Sequence, residues 1–159
     1  MDDGLCFNEK LIFKLSDEID SKEIALSFLA EQLYAKKYVT EGYKKGILER
    51  EKIYPTGLFT GGINIAVPHT DCIHVRYDAF AMGILSKPLT FYAMDDPERE
   101  IDVNIIFMLA LSQPHGQIAM LQKVLALVKE QEQLKQMINC KDVKTIYDIC
   151  LKYLIRGDE

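Results

Sequence analysis

The chain has no tryptophan, three histidines and four cysteines among 159 residues, and each scarcity narrows the chemistry open to it. Cys6, Cys72, Cys140 and Cys150 stand far apart with no Cys-x-x-Cys pair, so neither a disulfide scaffold nor a four-cysteine zinc site is written into the chain. That usage suits a reducing compartment, and a cytoplasmic location is expected. Excess basic charge is also missing: the net charge is -5 and the pI near 5.3, which argues against a nucleic-acid footprint. Direct membrane insertion is not expected, because no apolar run reaches the length of a span. The longest, Val103 to Leu111, is interrupted by Asn104. The start, Met1-Asp2-Asp3-Gly4, lacks the positive-then-apolar order of a signal peptide. Neither a Walker-type phosphate loop nor a dinucleotide fingerprint, a G-x-S-x-G elbow or an H-E-x-x-H helix occurs. The usual nucleotide, hydrolase and dehydrogenase readings therefore lack support, and no cofactor is implied.

What is present is 48% apolar content in a length that fits one domain. Asp20-Ser21-Lys22-Glu23 starts a helix with a box-like cap, and Ile24, Leu26, Phe28, Leu29 and Leu33 carry it from about 21 to 37. Thr40 can cap a second helix through Tyr43, Ile47 and Leu48, ending near Tyr54-Pro55. Residues 55 to 62, with Pro55, Gly57, Gly61 and Gly62, read as a loop before a strand that ends at Val67. Strands are expected over 78–85 and 89–92, with Ser86-Lys87-Pro88 as the turn between them and 95–100 as a charged turn after them. Val103 to Leu111 reads as a central strand covered on both faces. Ile118, Leu121, Val124, Leu125 and Val128 predict one helix reaching about residue 138, and Val143, Ile146, Ile149, Leu151 and Leu154 a last helix over about 142–155. Helices on both sides of one sheet, an α/β (α+β) domain spanning 1–159, are the expectation.

Two of the three histidines share an arrangement: an apolar strand, a proline, then the histidine. Pro68 cannot donate a ladder hydrogen bond and fixes its own φ, while Val67 before it is driven extended, so the direction in which His69 leaves the sheet is constrained. His115 follows Pro114 just before a helix, whose free N–H groups favour an anion. Ligands of open α/β sheets gather at strand ends, so His69 and His115 could share one site. Neutral imidazole is a competent nucleophile at cellular pH. Arg50, at the end of the second helix, carries the side chain best shaped to hold phosphate oxygens. Taken singly each has a plainer reading: a loop histidine, or an arginine paired with Glu49 or Glu51 in solvent. His69, Cys72 and His74 lie close enough in sequence to raise a metal site, but no further ligands complete a zinc set nearby. His74 itself reads as structural or surface.

In order along the chain, Leu48-Glu49-Arg50-Glu51, Pro55-Thr56-Gly57, Ile65-Ala66-Val67-Pro68-His69 and His115-Gly116-Gln117 followed by Leu121 resemble the enzyme IIA component of the bacterial phosphotransferase system (PTS), fructose/mannitol type. The loop Pro55-Thr56-Gly57 with Gly61-Gly62-Ile63-Asn64 is similar to the galactitol branch. The resemblance spans roughly residues 5 to 155. It implies a mixed sheet of about five strands flanked by helices, and a phosphotransferase that needs no metal. It also implies that His69 takes a phosphoryl group from the carrier protein HPr and passes it to a cysteine of a IIB component. A IIC membrane transporter would lie downstream in coupled sugar uptake. Carried over, His69 is the phosphorylated nucleophile, His115 a hydrogen-bond partner of the phosphoryl group, and Arg50 its stabilising cation. The loop from Thr56 to Gly62 is longer than in mannitol-type members. A stand-alone IIA protein is expected, with Leu58 and Phe59 as contacts on an exposed face around His69. A regulatory module controlled by His69 phosphorylation is the alternative.

Overall fold

The computed structural model describes residues 5–155; the four residues read above against a signal peptide lie outside them. In chain order the elements are β1 (Ile12–Leu15), α1 (Lys22–Ala35), α2 (Tyr43–Ile53), β2 (Gly57–Leu58), β3 (Ile65–Ala66), β4 (Ala79–Ala93), β5 (Asp96–Ala110), α3 (Pro114–Val128), α4 (Gln131–Asn139) and α5 (Val143–Cys150). A π-helical turn, Leu151–Ile155, follows α5.

The five strands form one mixed sheet. β4 and β5 are an antiparallel hairpin, β1 runs parallel to β4, and β3 runs parallel to β5. β2 pairs antiparallel with β3 and touches the end of β4 at Gly57 and Ala93. Helices cover both faces, as the sequence predicts. On one side Leu26, Leu29 and Leu33 of α1 and Tyr43 and Ile47 of α2 pack on Ala81, Leu85 and Phe91. On the other, Val124, Leu127, Leu134 and Ile146 from α3, α4 and α5 pack on Phe80, Met82, Ile105 and Phe107. Each fully buried large side chain of this kind contributes roughly 1.5–3 kcal/mol.

Several local expectations give way to tertiary contacts. The turn expected at Ser86-Lys87-Pro88 is a bulge: β4 runs unbroken, and its pairing steps from Ile84 opposite Ile105 to Leu89 opposite Val103. Proline is tolerated there because those three exposed residues make no ladder bond in this pairing. The charged segment after Asp95 is strand, the turn having shrunk to Met94-Asp95, because pairing along β4 outweighs its weak strand propensity. The helix expected to reach residue 138 divides into α3 and α4, since Lys129 and Glu130 close on the carbonyls of Ala126 and Leu127 as a tight turn. β1 has no counterpart among the expected strands, because its four residues offer too short a periodic pattern. The second helix begins after Gly42 and not at Thr40. Instead the Thr40 amide is spent on the His74 carbonyl, 2.8 Å away.

Candidate functional site

His69 leaves β3 as the sequence predicts, and the two residues before it are each anchored by a backbone hydrogen bond. The Val67 amide donates to the Thr56 carbonyl at 3.2 Å, and the Pro68 carbonyl accepts from the Leu109 amide at 2.9 Å. Leu109 is also the anchor of α2, because the buried Tyr43 hydroxyl donates to its carbonyl at 2.6 Å. Burial drives the Tyr43 phenol far above its ordinary pKa, so it stays a neutral donor. One residue of β5 thus fixes both the histidine's exit and the start of α2.

The close approach of α2 depends on Gly46. A Cβ there would lie 2.7 Å from the Thr70 hydroxyl oxygen and 3.3 Å from the His74 ring. Residues 43, 47 and 50 follow at helical spacing, so the face that seats Tyr43 and Ile47 also turns Arg50 toward the His69 segment. His74 is half-buried, its ring against the positions of Gly42 and Gly46, a structural placement in keeping with its sequence reading.

His69 itself is half-buried. Its Nδ1 lies 2.9 Å from the Val67 carbonyl oxygen. A carbonyl only accepts, so Nδ1 carries the hydrogen and the lone pair resides on Nε2. Burial holds the imidazole below its usual pKa; the Val67 hydrogen bond opposes this and the Arg50 charge adds to it. The ring is therefore neutral at pH 7, with a lone pair available on Nε2 and a cation acting on it.

Arg50 is not the solvated ion-pair partner of the plainer reading. Among the described residues it makes no ion pair, and Glu51 turns away to Thr56. The guanidinium carbon lies 5.1 Å from the Tyr54 ring centre, and Nε is buried with no hydrogen-bond partner among the described residues. A buried donor left unmet costs about 1–3 kcal/mol, so an acceptor at this point would be held firmly. Despite the long loop, the Arg50 charge acts on His69. Thr60, Asn64 and Gln131 tie the loop back toward α4: the Thr60 amide donates to Asn64 Oδ1 at 2.8 Å, and the Ile63 amide to Gln131 Oε1 at 2.8 Å.

His115 lies exposed in the first turn of α3, after Pro114 at the first helical position. Among the described residues its ring makes no hydrogen bond. The structure ties its helix to the His69 loop through Gln117, a residue of the quoted motif to which the sequence assigned no role: Gln117 Nε2 donates to the Thr70 carbonyl at 3.1 Å. Gln113 provides no side-chain cap, so the first amides of α3 stay open.

Exposed apolar side chains follow each of the three residues: Ile53 and Tyr54 after Arg50, Ile73 after His69, and Ile118 after His115. Leu58 and Phe59, expected beside His69, instead line a groove with Met94, Leu125 and Lys129. That groove lies at the far end of α3, a helix whose 15 residues span roughly 20 Å. The Arg99 guanidinium lies 3.9 Å above the Phe59 ring there. Among the described residues no cluster of three or more His, Cys, Asp or Glu side chains is placed to hold a metal, so His69, Cys72 and His74 do not converge as one. No helix among them is long and apolar enough to cross a membrane.

The model of the family described as phosphoenolpyruvate-dependent sugar phosphotransferase system, EIIA 2, matches residues 6–153. The galactitol-specific EIIA component of Escherichia coli strain K12 is 22% identical over 141 residues, 89% of this chain and 92% of that protein. The 2-O-alpha-mannosyl-D-glycerate-specific EIIABC component of the same strain is 33% identical over 111 residues, 69% of this chain but 15% of that protein. Among solved structures, the complex of enzyme IIAMTL and phosphorylated enzyme IIBMTL from E. coli shares the fold, with a TM-score of 0.72 at 20% identity over 96% of this chain and 99% of that one.

Proposed function

Because this chain belongs to the EIIA 2 family of the phosphoenolpyruvate-dependent sugar phosphotransferase system, we propose that it is a cytoplasmic phosphocarrier in which His69 relays a phosphoryl group between two proteins. The donor is the phosphohistidine of HPr and the acceptor a cysteine thiolate of a IIB component. A IIC transporter then couples the transfer to uptake of a sugar or polyol of galactitol-like type. The observation that carries the reading is the orphaned, buried Nε–H of Arg50 beside a neutral imidazole whose free lone pair is on Nε2.

In the first step the Nε2 lone pair of His69 forms a bond to phosphorus as the P–N bond of phospho-HPr breaks, returning its electron pair to the HPr ring. The His69 ring gains positive character, which the Val67 carbonyl offsets at Nδ1–H. In the second step the IIB thiolate attacks phosphorus and the electron pair returns to Nε2. Transfer of this kind passes through a loose transition state, so alignment and charge stabilisation are what the protein must supply. Arg50 and the His115 ring hold the phosphoryl oxygens, and the open amides of α3 add to the field. Both proteins must reach His69 in turn. The exposed Ile53, Tyr54, Ile73 and Ile118 supply an apolar rim for that docking.

Incubation with enzyme I, HPr and phosphoenolpyruvate should label the chain once, in acid-labile form. Uptake of label by His69→Ala at the normal rate would overturn the assignment.

A further inference from the structure

The steps above make no use of Glu51, a carboxylate only 3% exposed that directly follows Arg50 on α2. Burying a carboxylate is costly unless its oxygens are met, and an apolar side chain of similar size would pack there without that cost. Its oxygens are met by one residue. The Thr56 amide donates to Oε2 at 2.8 Å, and the Thr56 hydroxyl donates to Oε1 at 2.9 Å and Oε2 at 3.2 Å. Thr56 is itself 2% exposed. Its carbonyl accepts from the Val67 amide at 3.2 Å, and the Val67 carbonyl accepts from His69 Nδ1 at 2.9 Å. An unbroken series of hydrogen bonds therefore runs from α2 through the strand exit to the imidazole.

We propose that Glu51 is a positioning residue for the transfer site, holding Thr56 and through it the Val67 carbonyl that keeps the hydrogen of His69 on Nδ1. This rests on the phosphocarrier reading above. The same anchor locks α2 against the strand exit, which fixes Arg50, the preceding residue, relative to His69. A carboxylate suits this task because it accepts from an amide and a hydroxyl at once, and charge-assisted bonds are shorter and stronger than neutral ones. Burial raises Glu51 to about 7, while the Thr56 bonds and Lys22 pull it down. The charged groups around the carboxylate are Lys22 and Glu23 from α1 and Lys52 from α2, which line a cavity of about 120 Å³ with it, and the adjacent Arg50. Lys22 is shared with the Tyr92 ring of β4, 5.1 Å from its centre. The anchor thus loses charge on acidification below neutrality while its hydrogen-bond partners stay in place.

The test compares full-length wild type, Glu51→Gln and Thr56→Val by two readouts: nitrogen-15 NMR of the His69 ring without phosphoryl donor, and the initial rate of labelling by phospho-HPr. Both variants should give dispersed, folded spectra. The expected result is a lower Nδ1–H tautomer population with transfer slowed about tenfold or more, the scale of a small misalignment. Thr56→Val should shift both readouts in the same direction by less, since it keeps the amide bond to Glu51. Should Glu51→Gln fail to fold, Thr56→Val decides by the same measurements. A folded variant with wild-type tautomer and wild-type labelling rate overturns the proposal. The NMR readout needs no donor, so the two readings fail separately. Unlabelled wild type with a shifted tautomer in Glu51→Gln sinks the carrier role alone.

Discussion

The Nδ1 atom of His69 lies 2.9 Å from the carbonyl oxygen of Val67, two residues back along the chain. The contact is local, and it decides which nitrogen keeps a free lone pair. Pro68 between the two residues fixes the bend that makes it, and the Pro68 carbonyl is itself tied to Leu109 of the central strand.

Phosphorylation is accordingly expected on Nε2. Phosphorus-31 and nitrogen-15 spectra of the labelled chain should show the Nε2 adduct with a hydrogen still on Nδ1. An Nδ1 adduct would mean that the ring reverses before it reacts.

Arg50→Lys keeps a cation but removes the Nε–H that now lacks a partner. Transfer from phospho-HPr should slow about 100-fold, the scale of losing one preorganised donor at developing charge. A lysine variant at full speed would reduce Arg50 to long-range charge.

The pH dependence has a defined sign. Burial chiefly, and Arg50 in addition, lower the His69 pKa below its ordinary value of 6.5. On acidification the unfolded chain binds this proton first, so the stability contribution is complete above about 6.5 and is lost as pH falls through the folded value. Labelling should hold its plateau below pH 6.5, and Arg50→Gln should raise the His69 midpoint in an NMR titration.

Glu51 has the opposite sign. Its folded pKa, raised to about 7 from 4.5, adds stability that is complete below about 4.5 and is lost as pH rises through 7. The Thr56 hydrogen bonds and Lys22 reduce that loss without cancelling it. Urea unfolding at pH 5 and 8 should show a smaller pH difference in Glu51→Gln than in wild type.

Gly46→Ala tests the approach of α2. Helix propensity alone would add about 1 kcal/mol of stability. The new Cβ would stand 2.7 Å from the Thr70 oxygen, so a net loss of stability together with slower transfer is expected. A gain in melting temperature with unchanged transfer would show that Thr70 moves aside freely.

Much of this arrangement is legible in the sequence because its causes are local. The first helix starts where the sequence predicts, with Ser21 and not Asp20 as the cap that accepts from the Ile24 amide. The nearly all-apolar run from Val103 marks a strand buried on both faces, and Pro68 and Pro114 restrict the backbone just before the two histidines. The β4 bulge was not legible, because the partner strand imposes it, and the division between α3 and α4 falls where Gln131 is engaged by the Ile63 amide of a loop distant in the chain. The same holds within the site. Glu49 and Glu51 looked equivalent as partners for Arg50, and only packing shows that Glu51 faces inward to Thr56.

By itself the sequence determined which residues are candidates for the chemistry: an imidazole after proline, a second imidazole opening a helix, and a guanidinium at a helix end. Side-chain type and backbone restriction are properties of single residues, so they need no fold to be read. The tertiary structure decided what state those groups are in. Desolvation keeps His69 neutral, burial leaves the Arg50 Nε unmet, and Leu109 holds α2 and the histidine's strand exit together. These are effects of distance through space between residues far apart in the chain.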